Sequence, residues 1–327
     1  MKCRRALGFA ACIAIAITTD VANAAETQPY PTKTVRIVVP YTPGGGVDIM
    51  ARILATKLSE RLGQQFIVEN RPGGGTIIGT EAVARSAPDG YTLLFANPAL
   101  TATPALVDKV PYDTMKSFAS LGMVGASFNV LVVHPSLPVK TVKELVALAK
   151  ARPGELNYAS AGTGSAIHLA MELFQSVSGI DVVHIAYKGA SPAITDVLGG
   201  QVPLMFATTP PAVEHMRTGK LRALGVSSAR RLAVLPTVPT IAESGYPGFE
   251  VSNWYAFVVP AQTPRAIVNR LNGEIVAILR LPDVKERITS LGNEIETRTP
   301  EQFDAQLRKE LATWQKVLGK RKSKGAL

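Results

Sequence analysis

The stretch Val35-Arg36-Ile37-Val38-Val39-Pro40-Tyr41-Thr42-Pro43-Gly44-Gly45-Gly46-Val47-Asp48 decides how the rest of the chain reads. A Val/Ile-rich run ends at Pro40, and three consecutive glycines follow. From Asp48 to Leu62, apolar residues recur at Ile49, Ile53, Leu54 and Leu58, with Gly63 as a stop signal. This is a strand, a glycine turn and an amphipathic helix in succession. Glycines in such a turn let the backbone approach a ligand closely and aim its N–H groups at it. The helix that follows adds the positive end of its dipole, which makes the turn a site for an anion such as a carboxylate. A plain tight turn with Asp48 as N-cap is the competing reading.

Outward from this unit the pattern repeats. Gln65 to Glu69 and Tyr91 to Phe95 read as strands and Thr76 to Arg85 as a helix, completing a βαβαβ half. Leu121 to Ala126 and Val130 to Val133 read as two strands broken by Ser127-Phe128-Asn129. A second α/β set follows: helices Thr141 to Ala151, Ser165 to Ser178 and Ser191 to Leu198, and strands Leu156 to Ser160, Val182 to Ala186, Pro203 to Phe206 and Leu221 to Val226. Pro236 to Pro247 is a connector. Trp254 to Val259 is a late strand, and Pro264 to Leu279, Asp283 to Ser290 and Pro300 to Leu318 are helices. Alternating short apolar runs and longer amphipathic segments argue for an α/β fold with parallel sheet. The expected organisation is a first lobe over 25–126, a second lobe over 127–222, and a return to the first over 223–327, with a ligand cleft between the lobes.

The chain has 327 residues, two cysteines and a formal charge of +10. Lys2, Arg4 and Arg5, the apolar run Ala6 to Thr18, and Ala22-Asn23-Ala24 read as a signal peptide over residues 1–24, cleaved before Ala25. The run is too short for a membrane-spanning helix, which needs about 20 residues. Both cysteines, Cys3 and Cys12, fall inside the leader, so the exported chain has no disulfide; acylation at Cys12 is the alternative. The leader carries three basic residues and one acid. The tail from Gly319 to Leu327 carries four basic residues and no acid, so the excess over the body is only +4. No aromatic residues interleave with the tail's charges, which argues against a nucleic-acid partner.

A second glycine loop, Tyr158-Ala159-Ser160-Ala161-Gly162-Thr163-Gly164-Ser165, again lies between a strand and a helix, with hydroxyls on Thr163 and Ser165 and with His168 one turn on. A third, Arg71-Pro72-Gly73-Gly74-Gly75-Thr76, reads as a surface turn or as a further edge of the cleft. Rival chemistries lack their signatures. The dinucleotide pattern G-x-G-x-x-G needs glycine where Ile49 stands, and there is no phosphate loop, G-x-S-x-G elbow or S-x-x-K pair. His134, His168, His184 and His215 have no metal-ligand spacing. No cofactor, metal or catalytic residue is expected.

Taken in order, these residues resemble the Bug-type solute receptors of tripartite tricarboxylate transporters. The resemblance runs through Tyr30-Pro31, the loop from Pro40 to Asp48, Glu69 to Gly73, Ala87-Pro88-Asp89-Gly90-Tyr91, Ser160 to His168, Tyr187-Lys188-Gly189, Gly199 to Val202, Leu235 to Thr240 and Trp254. It implies a type II periplasmic-binding-protein fold whose two lobes close on a small carboxylate. Carried over by position, ligand contacts fall to Tyr41, Thr42, Gly44, Gly45 and Asp48 on one lobe, with Asp48 orienting water or its own loop. On the other lobe they fall to Thr163, Gly164, Ser165 and His168. Gly75, Asn97, Lys188, Thr208 and Tyr255 are further pocket-wall candidates. The implied partner is a membrane transporter, with a signalling protein as the alternative, and the receptor is a periplasmic monomer. An exported α/β enzyme acting on carboxylates is the other alternative. Val47 and Thr76-Ile77-Ile78 depart from the family's more polar or smaller residues, so the pocket is expected to be apolar and the ligand a less polar, even aromatic, carboxylate.

Overall fold

The computed structural model describes residues 30–322, and Pro31 onward forms one compact unit. The leader over 1–24 and the side chains of the basic tail lie outside the described residues. In chain order the elements begin with β1 (Val35–Val39), α1 (Gly46–Leu62), β2 (Phe66–Asn70), α2 (Ile77–Ala84), β3 (Thr92–Ala96), α3 (Ala99–Leu106) and β4 (Phe118–Val133). Next come α4 (Val142–Ala151), β5 (Asn157–Ser160), α5 (Ala166–Ser178), β6 (Val183–Ala186), α6 (Ala190–Leu198), β7 (Leu204–Thr208), α7 (Thr209–Arg217) and β8 (Arg222–Val226). The chain ends with β9 (Ser252–Pro260), α8 (Arg265–Leu279), α9 (Pro282–Ser290), β10 (Asn293–Glu294) and α10 (Pro300–Lys322).

Two parallel triplets, β2-β1-β3 and β7-β5-β6, are joined edge to edge by β9 and β4, which run antiparallel to their neighbours. β4 is the strand common to both halves. From Phe118 to Phe128 it pairs with β9; from Asn129 to Val133 it pairs with β7. β8 pairs with the same distal half, at Val130 to Val133. One half packs Val38, Leu94, Trp254, Val258 and Phe303 into its core, and the other packs Phe174 edge-on against the stacked rings of Phe206 and Phe249.

Four elements differ from the sequence expectation, one of them the two-residue β10, which pairs with Ala126 and Ser127 of β4. Ser127-Phe128-Asn129 does not break the strand: it continues β4, because its polar side chains find partners inside the protein. Ser127 Oγ meets Tyr255 Oη at 2.6 Å, and Asn129 Nδ2 donates to the Ala166 carbonyl at 3.3 Å. Helix α3 carries Pro104, which removes an N–H donor that Leu100 would otherwise use; the Leu100 carbonyl instead accepts from Thr114 Oγ1 at 2.8 Å. Helix α7 begins Thr209-Pro210-Pro211, a loop-like sequence that is tolerated because first-turn N–H groups have no intrahelical acceptor anyway.

Candidate ligand-binding site

Asp48, 2 % exposed, shapes the first glycine loop. Its Oδ2 accepts from Gly44 N–H and from Arg52 Nε, both at 2.9 Å, and its Oδ1 accepts from Asn70 Nδ2 at 2.8 Å. Burial pushes the carboxyl pKa up, but the bonds from Arg52, Gly44 and Asn70 outweigh burial and hold it below the usual carboxylate range. Gly44 takes φ +86°, a left-handed conformation that glycine adopts at little cost. The Gly45 cap of α1 has no side-chain hydrogen bond, so the first turn of that helix keeps its N–H groups for other partners.

The second loop is built the same way from the opposite half. Gly162 and Gly164 have positive φ. Ser165 caps α5, accepting from His168 N–H at 3.3 Å. Helices α6 and α7 are capped by Gly189 and Thr208, neither of which makes a side-chain cap bond. The N-termini of α1, α5, α6 and α7 converge on one narrow cleft of about 20 Å³, room for about one water with the two halves in contact as they are here. Gly45, Gly46 and Val47 wall it from α1; Ser165, Ala166 and Ile167 wall it from α5. Ala190 and Thr208 supply the starts of α6 and α7, and Tyr41, Asn97 and Asn253 complete the lining with Ala161.

Among these lining residues none is charged. An anion here would be held by four helix dipoles and first-turn amides rather than by a Lys or Arg. The polar floor is a buried chain: Tyr41 Oη donates to Asn97 Oδ1 (3.1 Å), and Asn97 Nδ2 donates to Asn253 Oδ1 (3.2 Å). Asn253 Nδ2 in turn donates to Tyr255 Oη at 3.1 Å. Burial raises both phenol pKa values, that of Tyr255 to about 12, so both stay protonated donors at neutral pH. Thr208 Oγ1 is buried on the wall without a hydrogen-bond partner among the described residues.

The expected site residues therefore divide by position. Tyr41, Gly45, Ser165, Asn97 and Thr208 line the cleft. Gly75, Thr163 and Lys188 line an adjoining recess of about 190 Å³. Thr42 N–H donates to the Lys188 carbonyl at 3.2 Å, and Gly44 faces Ser191, so the two halves meet directly beside the cleft. Tyr255 Oη lies behind Gly46, and Gly164 packs on Thr103. Asp48 and His168 stand behind their loops and are not on the cleft wall. Of the departures thought to make the pocket apolar, Val47 is on the wall. Ile78 is not: it is 55 % exposed and packs over Gly73. Gly46, Ala161, Ala166, Ile167, Ala190 and Asn253 also line the cleft and were not among the expected residues; Ser127 joins its polar floor through Tyr255 and Asn253. The signals available for them were polar residues interrupting apolar strands (Ser127, Asn253) and a small residue opening a helix (Ala190).

This architecture is that of a type II periplasmic binding protein, two α/β halves joined by crossing strands with a ligand cleft at the crossing. The sequence model of the tripartite tricarboxylate transporter family receptor, TctC, matches residues 50–322, and the chain belongs to that family. It is 39 % identical over 303 residues to protein BugT of Bordetella pertussis, covering 92 % of this chain and 93 % of BugT. Among solved structures, R. palustris Rpa4515 with adipate is 36 % identical with a TM-score of 0.85, covering 88 % of this chain and 97 % of that one. MatC from Rhodopseudomonas palustris with bound malate is 31 % identical with the same TM-score of 0.85, covering 88 % of this chain and all of that one.

Proposed function

We propose that this receptor captures a small carboxylate in the periplasm and presents it to the membrane subunits of a tripartite tricarboxylate-type transporter. The observation that carries the reading is the convergence of four helix N-termini on an uncharged cleft, which favours an anion without offering it a fixed countercharge. The adipate and malate bound by the related Rpa4515 and MatC support a dicarboxylate of four to six carbons as the first candidate. Val47, Ala161, Ala166, Ile167 and Ala190 supply an apolar wall for its carbon chain.

The expected lobes, 25–126 with 223–327 against 127–222, take one amendment: β8 pairs with Val130–Val133, Val251 N–H donates to the Ser227 carbonyl, and Phe249 packs on Phe174 and Phe206, which supports a return to the first lobe at β9 rather than at 223. Residues 1–24 act as a cleaved export signal, and the protein binds without transforming its ligand. The ligand bridges both lobes and so favours the closed arrangement, which is the shape a transporter recognises. Thermal-shift screening of the protein beginning at Ala25 against mono- and dicarboxylates tests this. A true ligand at 100 times its Kd adds about 2.7 kcal/mol of stability. A panel in which no carboxylate raises the melting temperature defeats the proposal.

A further inference from the structure

His168 is 2 % exposed and sits outside the cleft lining, directly behind the second glycine loop. Its Nδ1 accepts from Gly164 N–H at 3.2 Å. A ring that accepts at Nδ1 carries its proton on Nε2 when neutral, and Nε2 lies 3.8 Å from Glu172 Oε1. That carboxylate, 6 % exposed, also accepts from Tyr158 Oη at 3.3 Å and from Gln175 Nε2 at 3.2 Å. The His168 ring stacks on His184 with centroids 4.3 Å apart. His184 Nε2 meets Ser160 Oγ at 2.5 Å, and Ser160 Oγ accepts from Gly162 N–H at 3.0 Å.

Two N–H groups of the loop, at Gly162 and Gly164, are thus held from behind by side chains no ligand would reach. Gly162 and Gly164 both have positive φ, so their N–H directions have no regular secondary structure to fix them. Ser165 Oγ occupies a third donor, His168 N–H. The first-turn N–H groups of Ala166 and Ile167 remain for the cleft they line.

We propose that His168, with its ring plane set by stacking on His184, is a positioning residue: it orients the second anion-binding loop through Gly164 and does not touch the ligand. The proposal rests on the carboxylate-receptor reading above and adds the group that prepares that site before the ligand arrives.

The test compares two substitutions. His168→Asn places an amide oxygen where Nδ1 stands and keeps an acceptor for Gly164 N–H. His168→Gln places its polar end farther out and loses that acceptor. Titration calorimetry with adipate should show affinity at least about tenfold weaker in His168→Gln, a change of about 1.4 kcal/mol, with recovery toward wild type in His168→Asn. Hydrogen exchange at the Gly164 amide, read without ligand, should be slow in wild type and His168→Asn and fast in His168→Gln. Equal affinity and equal Gly164 exchange in the two variants overturn the proposal. If wild type binds no carboxylate, the receptor reading fails, and the exchange pattern alone still decides the positioning role. Should His168→Gln not fold, Ser160→Ala takes its place: it removes the Gly162 acceptor and should weaken adipate binding and speed Gly162 exchange, and unchanged values of both count against the scaffold.

Discussion

Gly189→Ala separates closure from folding. Gly189 is extended, with φ 167° and ψ 171°, a backbone any residue adopts, so the substitution costs no strain in the open protein. With the two loops in contact as they are here, an added Cβ would lie 2.9 Å from Thr42 N and closer still to Thr42 Oγ1, on the facing loop. Relieving this overlap costs about 1–3 kcal/mol. Separating the loops also gives up the bond from Thr42 N–H to the Lys188 carbonyl at 3.2 Å, a net loss of about 1 kcal/mol. Together the closed state loses roughly 2–4 kcal/mol, which raises Kd by roughly 30- to 700-fold. Calorimetric titration with adipate measures the change, and urea unfolding of the unliganded protein checks that the fold is intact. Gly199→Ala, at the far end of α6, is the control: its Cβ would meet neighbours at ordinary contact distances of 3.5–3.9 Å. Wild-type affinity in Gly189→Ala would refute the argument that these loops must meet for ligand to be held.

Tyr255→Phe removes a buried hydroxyl bonded to Ser127 at 2.6 Å and Asn253 at 3.1 Å; leaving both short of a partner should cost about 1–3 kcal/mol in urea unfolding, and a cost below the error of the measurement would mean the network is dispensable. Asp48 has a lowered pKa in the folded protein, so its stabilisation is complete above the unfolded carboxylate range and is lost as pH falls through the folded value. The urea midpoint of the wild type should therefore drop more steeply than that of Asp48→Asn below about pH 4, and parallel profiles would contradict this. Leu169 of α5 packs with Ala102 and the side chain of Trp314, contacts that join the two lobes. In Trp254→Phe, which leaves Trp314 as the sole tryptophan, adipate should shift the emission; an unchanged spectrum at saturation would mean that this contact does not respond to closure.

Much of the fold was legible because it is local. The Val35–Val39 run, the three glycines and the Asp48–Leu62 periodicity specify a strand–turn–helix without help from the rest of the chain, and the second loop repeats the device at Ser160–Ser165. Ser127-Phe128-Asn129 was misread because a buried polar strand needs partners 100 residues or more away in sequence, here Tyr255 and Asn253, and no local pattern announces them. Helices α3 and α7 were hidden by prolines whose cost is removed by context, Thr114 for the first and the helix start for the second. At the site, glycine loops are conspicuous in sequence, whereas a helix N-terminus opened by a small apolar residue such as Ala190 carries only a weak signal. Ile78 shows the converse: a sequence departure beside a glycine loop whose side chain turns out to face solvent.

The central claim is that an anion is held by converging helix N-termini with no cationic side chain. A crystal structure with the carboxylate that most stabilises the protein tests it most directly. The account predicts carboxylate oxygens within hydrogen-bond distance of the first-turn N–H groups of α1 and α5, beside Gly46, Val47, Ala166 and Ile167. A carboxylate paired instead with Lys188 or another cationic side chain within about 4 Å, or bound outside this cleft, would contradict it.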